Sequence, residues 1–220
     1  MIRRLAAEYL GTLFLVLLGP GAVMVNAARP GSVGPVGVAL AFAFAVTAVV
    51  YALAPVSGAH INPAVTFTAW FQGKIPGGEV APYMIAQCAG AVTASYISRA
   101  ALGLAGNLGA TVPTVPVVAA FGVEWLLSFL LMLVILESGR SDPSTRGSSA
   151  LMIGLTVGYC ALVGGPLTGA SMNPARSFGP ALVSGIWSYH WLYWLAPITG
   201  MMAAARVEHL LVNAETRSGG

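Results

Sequence analysis

The stretch SGAHINPAVTF at residues 57–67 returns 111 positions later as TGASMNPARSF at residues 168–178. Each copy has an Asn followed by a Pro and then by a short apolar run. Pro suits the first helical position and Asn is a favourable N-cap, so each copy predicts the start of a helix. The runs 63–73 and 174–184 would each form a helix of about 16 Å. Each is therefore about half as long as a bilayer core is thick.

The composition predicts an integral membrane protein. Of the 220 residues 57% are hydrophobic and 8% are charged, and the mean hydropathy is +0.81. An ordinary soluble domain is about 25% charged. The net charge of +3 comes from few residues, and no basic cluster with interleaved aromatics is present, so nucleic acid is not a predicted partner. The predicted surroundings are a lipid bilayer.

Six apolar stretches are long enough to cross a membrane. They are residues 5–27, 33–54, 80–104, 116–137, 149–165 and 189–212. The fifth is the shortest and ends in Gly164-Gly165-Pro166. The two half-length helices follow the second and the fifth. The Gly-, Thr- and Pro-rich residues 105–115 predict a connecting loop.

The repeat extends beyond the two quoted stretches. Glu8 and Glu124 occupy matching positions in AEYL and VEWL, and Tyr83 matches Tyr193. We therefore predict one channel domain, 1–220, made of two repeats, 3–104 and 116–212. Each half holds three spans, so the second half enters the membrane from the opposite face. The predicted fold is an all-α membrane protein with six transmembrane helices and two re-entrant half-helices in an inverted repeat, which places a site near the midplane.

The distribution of Lys and Arg predicts the orientation. With the amino terminus inside, seven basic residues lie on the cytoplasmic side and two, Arg29 and Arg99, lie outside. The seven are Arg3, Arg4, Lys74, Arg140, Arg146, Arg206 and Arg217. The excess favours both termini in the cytoplasm and a place in the cell membrane.

Asn62 and Asn173 are the candidate residues at the midplane. A capping Asn uses its side-chain oxygen and leaves its amide hydrogens to donate. Each half-helix also brings about half a positive charge at its amino terminus. Such a site suits a neutral dipolar molecule and repels cations. The alternative is that both Asn side chains only cap their helices.

These features resemble the aquaporin, or major intrinsic protein, family. The resemblance covers about residues 3–212 and rests on the six-plus-two layout, on the Glu of each half and on the paired motifs. The motif residues are Asn62, Pro63, Ala64, Asn173, Pro174 and Ala175. The resemblance implies a bundle with one pore per chain and a homotetramer. It also implies a selectivity filter at Phe42, Ala161, Ala170 and Arg176.

Arg176 is a filter candidate without any analogy, because a charged side chain beside an apolar half-helix should face water or backbone carbonyls. A surface Arg reaching outward is the alternative. Phe42 alone would be interpreted as a core residue. Ala161 stands where the strictly water-selective pattern of the family has His, which implies a wider and less polar constriction. Ser177 and Ala181 resemble the water-type pattern and favour water.

Three ionisable residues remain. Glu8 and Glu124 lie inside spans, and we expect each carboxylate to accept hydrogen bonds from the re-entrant loop of its own half. A proton relay is the alternative. His60 is expected to line the cytoplasmic approach to the pore, with a pH gate as the alternative.

The predicted function is passive conduction of water in single file, with protons and ions excluded. No grouping of nucleophile, base and orienting residue predicts an enzyme, and no cofactor or metal site is predicted. The first alternative is a channel for small neutral solutes such as glycerol, ammonia, hydrogen peroxide or metalloid acids. The second is a secondary transporter, because broken helices and inverted repeats occur there also.

Overall fold

The computed structural model describes the backbone of residues 1–140 and 145–218 and the side chains up to residue 211. The side chain of Arg217, which was counted for the orientation, lies outside the described residues. Within the described part, six long α-helices and two short ones form one bundle. The long helices are α1 (Ile2–Ala28), α2 (Gly34–Ser57), α4 (Gly77–Leu102), α5 (Val117–Arg140), α6 (Arg146–Thr168) and α8 (Leu192–Ser218). The short ones are α3 (Pro63–Phe71) and α7 (Pro174–Ser184).

Four of the six long helices suit a membrane by length and composition. Among the described residues, α1, α2, α5 and α6 are each long and apolar enough to cross one. Helix α4 has 26 residues and is less apolar, since it carries Gln87, Ser95 and Ser98. These three side chains are buried, so its polar groups point into the bundle. The chain is an integral membrane protein, as its composition predicts.

Two predicted boundaries are wrong. Helix α3 ends at Phe71 and has nine residues, because Gly73 takes a φ of +71° and its N–H turns back to the Trp70 carbonyl. Helix α6 has 23 residues and is not the short span predicted at 149–165. It continues past Pro166 to Thr168, where Gly169 takes a left-handed φ of +86°, and the Thr114 Oγ1 donates to the Pro166 oxygen near this end at 2.7 Å.

The long helices pack closely in matched pairs. A Cβ on Gly90 of α4 would collide with the Tyr9 carbonyl of α1. A Cβ on Gly200 of α8 would collide with the Trp125 carbonyl of α5 in the same way. Only Gly lets the backbones approach so closely. The same contact therefore occurs once in each half of the chain.

The short helices meet end to end inside the bundle. Both begin near its middle, where the amide nitrogen of Asn62 lies 2.8 Å from the Met172 carbonyl oxygen. From there α3 runs toward the face that carries both chain ends, called here the terminal face, and α7 runs toward the other face, called here the far face. Helices of nine and eleven residues together span about 30 Å, enough to cross a bilayer core.

A candidate pore through the bundle

The two capping asparagines start the short helices as predicted. Asn62 is extended, with φ −159°, and its Oδ1 accepts from the Ala64 N–H at 2.9 Å. Asn173 is also extended, and its Oδ1 accepts from the N–H groups of Ala175 and Arg176 at 3.0 and 3.3 Å. A Pro follows each Asn at the first helical position. Each cap therefore satisfies donors that the helix leaves unpaired.

Each asparagine side-chain amide donates a hydrogen bond to a backbone carbonyl of the opposite half of the chain. The Asn62 Nδ2 donates to the Met172 carbonyl and the Asn173 Nδ2 donates to the Ile61 carbonyl, both at 2.8 Å. A primary amide carries two hydrogens, so one of each pair remains. Capping alone would leave both hydrogens of each amide free to donate to a solute. One of the two is used here to bind the opposite segment.

Two buried carboxylates hold the segments that lead to the asparagines. Glu8 accepts from the N–H groups of His60 and Ile61 at 2.9 and 2.6 Å and from the Ser57 hydroxyl. It is 0% exposed. These backbone donors cannot pair within a helix, and the membrane interior offers no water to replace Glu8.

Glu124 makes the same arrangement in the second half. It is fully buried and accepts from the N–H groups of Ser171 and Met172 at 2.8 and 2.9 Å and from the Thr168 hydroxyl. Within the described part of the chain, all the donors to this carboxylate belong to the re-entrant segment. The geometry is that of a structural acceptor.

Three supporting residues did not emerge as site residues from the sequence. Tyr83 and Tyr193 donate their hydroxyls to the carbonyls of Ser57 and Thr168 at 3.1 and 2.7 Å. Gln87 donates to Glu8 at 2.7 Å. Two features of the sequence could have identified them: Tyr83 and Tyr193 occupy matching positions of the repeat, and Gln87 is a polar residue inside an apolar span.

Two cavities lie along the bundle, one toward each face. The terminal-side cavity has a volume of about 200 Å³ and is lined by His60, Asn62 and Asn173 among others. The far-side cavity has about 280 Å³ and is lined by Ala161 and by residues near the ends of α1 and α6. The asparagine amides therefore face a space that a small molecule can occupy.

Phe42 and Arg176 line both cavities. The Arg176 guanidinium carbon lies 5.4 Å from the centre of the Phe42 ring. Ala170 lines the terminal-side cavity and Ala161 the far-side cavity. Of the four predicted filter positions, Phe42 and Arg176 thus lie where the two spaces meet, and Ala161 and Ala170 each line one of the spaces.

Arg176 is fixed by backbone carbonyls. It is 3% exposed, and its Nη1 and Nη2 donate to the carbonyls of Gly109 and Gly169 at 2.7 and 3.4 Å. Its Nε has no hydrogen-bond partner among the residues that the structure describes. The two bonds use two of the five guanidinium N–H donors, so Arg176 brings a full positive charge and unused donors to the boundary of the cavities.

The remaining predicted site residues lie nearby. His60 lines the terminal-side cavity and its Nδ1 lies 3.1 Å from the Thr66 Oγ1. The other motif residues line neither cavity, since they form the buried first turns of α3 and α7. They are Pro63, Ala64, Pro174 and Ala175.

An all-helical membrane bundle with two half-helices joined tip to tip beside a pair of cavities defines a transmembrane channel. The sequence profile of the Major intrinsic protein family matches residues 1–207. The chain belongs to this family, the aquaporins. Membership favours a channel over the secondary transporter, and over an enzyme.

Relatives and a solved structure agree with this assignment. A probable aquaporin AqpM of Archaeoglobus fulgidus is 41% identical, over 93% of this chain and 95% of that protein. Aquaporin NIP1-1 of Zea mays is 38% identical, over 96% of this chain and 75% of that protein. The aquaglyceroporin structure from Plasmodium falciparum has a TM-score of 0.83 and 25% identity, covering 93% of this chain and 94% of that chain.

Proposed function

We propose that the protein is a passive channel that conducts water in single file across the cell membrane. The observation that carries the proposal is that Phe42 and Arg176 line both cavities, with the guanidinium carbon 5.4 Å from the ring centre. A single file needs a tube whose walls are mostly apolar, with a few fixed polar groups to replace lost water contacts. One free hydrogen on each of Asn62 and Asn173 and the Arg176 Nε supply such groups.

Charge at the same places excludes ions and protons. The amino-terminal ends of α3 and α7 meet at the junction, and each carries about half a positive charge. Arg176 adds a full charge at the boundary of the cavities. A cation or hydronium ion moving along this route meets positive potential twice, whereas neutral water does not.

A channel for small neutral solutes is the second candidate. Ala161 and Ala170 present only methyl groups at the boundary, which leaves room beside the Phe42 ring. One solved structure with the same fold is the aquaglyceroporin from Plasmodium falciparum. Glycerol, ammonia, hydrogen peroxide and undissociated metalloid acids belong to the size and polarity class that such a boundary admits.

The arrangement in the cell is part of the proposal. The seven basic residues counted above favour cytoplasmic termini, so the terminal-side cavity opens to the cytoplasm. The residues 3–104 and 116–212 form two inverted repeats of one channel domain, which the matched contacts of Gly90 and Gly200 support. A homotetramer with one pore per chain follows from the family resemblance, and the native mass of the purified protein tests it.

Stopped-flow swelling of proteoliposomes tests the function. We expect water permeability well above that of protein-free liposomes, with a low activation energy and no proton leak. Glycerol gradients applied to the same vesicles rank the two candidates. Glycerol flux comparable to that of a known glycerol channel would reverse their order, and water flux equal to that of empty liposomes would refute a water channel.

A further inference from the structure

The Phe42 ring packs directly against the backbone of α1 at Gly19. A Cβ built on Gly19 would sit within 2.8 Å of three carbons of this ring, Cε1, Cδ1 and Cζ. Real carbon contacts are about 3.5–4.0 Å, so the ring occupies the space that any side chain at Gly19 would need. Phe42 is 5% exposed and packs between the α1 backbone and the Arg176 guanidinium, which lies 5.4 Å from the ring centre.

Pro20, the next residue of α1, packs against Gly109 on the Arg176 side of the boundary. A Cβ on Gly109 would lie 2.9 Å from the Pro20 Cβ, so Gly109 also rests directly on α1. Its φ of +66° is a conformation that favours Gly. The Gly109 carbonyl accepts from the Arg176 Nη1 at 2.7 Å. Two consecutive residues of α1 therefore lie against the two sides of the boundary: Gly19 against the Phe42 ring, and Pro20 against Gly109, the residue whose carbonyl binds Arg176.

We propose that the Gly19-Pro20 step of α1 sets the width of the constriction, and that Gly19 is a specificity-determining positioning residue. The inference rests on the proposed function, because it takes the Phe42 and Arg176 boundary as the solute filter. Gly19 lines neither cavity and acts through the ring. A methyl group at this position displaces the ring by about 1 Å to restore normal contact. Arg176 cannot retreat in response, since carbonyls hold it.

The helix offers a matched control. Gly21 is buried on the same helix two residues on, and a Cβ there would have no neighbour within 4 Å outside the helix. Gly19→Ala and Gly21→Ala carry the same gain in helix propensity, because each replaces Gly by Ala inside α1. The difference between these variants therefore isolates the contact with the Phe42 ring.

The experiment measures water, urea and glycerol permeability of proteoliposomes that contain each variant. We expect Gly19→Ala to lower water permeability about threefold or more and to lower the larger probes further, whereas Gly21→Ala matches the wild type. Phe42→Leu removes Cε1 and Cζ of the ring, and the remaining Cδ atoms of a flexible Leu can rotate away from position 19. Gly19→Ala combined with Phe42→Leu should therefore have the permeability of Phe42→Leu alone. Equal behaviour of Gly19→Ala and Gly21→Ala would overturn the inference.

Failure to fold is also informative. If Gly19→Ala does not accumulate in membranes, the double variant with Phe42→Leu should, because the collision is with the ring. A double variant that also fails to accumulate overturns the inference. Failure of the proposed function is separate: it appears as unchanged selectivity in Phe42→Leu and Arg176→Val, whatever Gly19→Ala does.

Discussion

The two re-entrant segments, residues 57–64 and 168–175, are alike up to their tips. A buried Glu accepts from two backbone N–H groups and one hydroxyl in each. A Tyr hydroxyl binds the carbonyl of the last residue of the preceding helix in each. Two non-Gly residues take positive φ at matching places, Ala59 and Ile61 against Ala170 and Met172.

The segments differ just beyond their tips. The position after the motif holds Val65 in the first half and Arg176 in the second. Gln87 supports the first half by donating to Glu8 and to Thr66, and the sequence match puts Pro197 at its place in the second. The supporting contacts of the buried Glu and the Tyr hydroxyl thus occur in both halves, whereas the charged side chain at the boundary of the cavities belongs to the second half. The two ends of the pore can therefore differ in function only through such departures from symmetry.

Exchanging either buried Glu for Gln should have the largest effect. In Glu8→Gln and Glu124→Gln an amide NH₂ replaces one acceptor oxygen and leaves a buried backbone donor unpaired, at about 1–3 kcal/mol for each. Thermal unfolding in detergent should show lower midpoints for both, whereas Glu137→Gln, whose side chain is 73% exposed, should match the wild type. A lower midpoint in only one of the two Glu variants would show that the supporting contacts of the two halves are not equivalent.

Arg176→Val gives the second half the residue that the first half has. It removes the charge and the longest side chain at the boundary. We expect urea and glycerol permeability to rise about tenfold, with a proton leak, in liposome flux assays. Arg29→Val, in an exposed loop, is the matched control. Unchanged selectivity would mean that the difference between the halves does not create the filter.

Gln87→Met tests the support that only the first half has. Met has a similar length and cannot donate, so the bonds to Glu8 and Thr66 are lost. We expect a loss of about 1 kcal/mol in the free energy of unfolding, with unchanged selectivity in the flux assays. An altered ratio of glycerol to water flux would contradict this result, since Gln87 lines neither cavity.

Ala161→His should have the smallest effect on water. The ring narrows the far-side cavity and adds a donor opposite Phe42, while the terminal-side cavity is untouched. Glycerol flux should fall about threefold and water flux should change less than that. An equal loss of both fluxes would argue against Ala161 as a filter position.

Much of the site can be predicted from the sequence because its elements are local. Each Asn-Pro pair specifies a cap and a first turn within four residues, and the short helices begin where the motifs predict. The Glu residues are predictable because a carboxylate inside an apolar span needs donors. The end of α3 was mispredicted because the left-handed turn at Gly73 interrupts an apolar run, and apolar character alone does not specify a helix end.

The sequence by itself determined that the chain crosses a membrane, that it repeats, and that two half-helices begin at Asn62 and Asn173. These follow from hydropathy, spacing and capping, which act between residues close in the chain. Only the tertiary structure decided that Gly19 faces the Phe42 ring, that Gly109 anchors Arg176, and that each amide binds the opposite segment. Such contacts join residues far apart in sequence, and the packing of whole helices sets their distances.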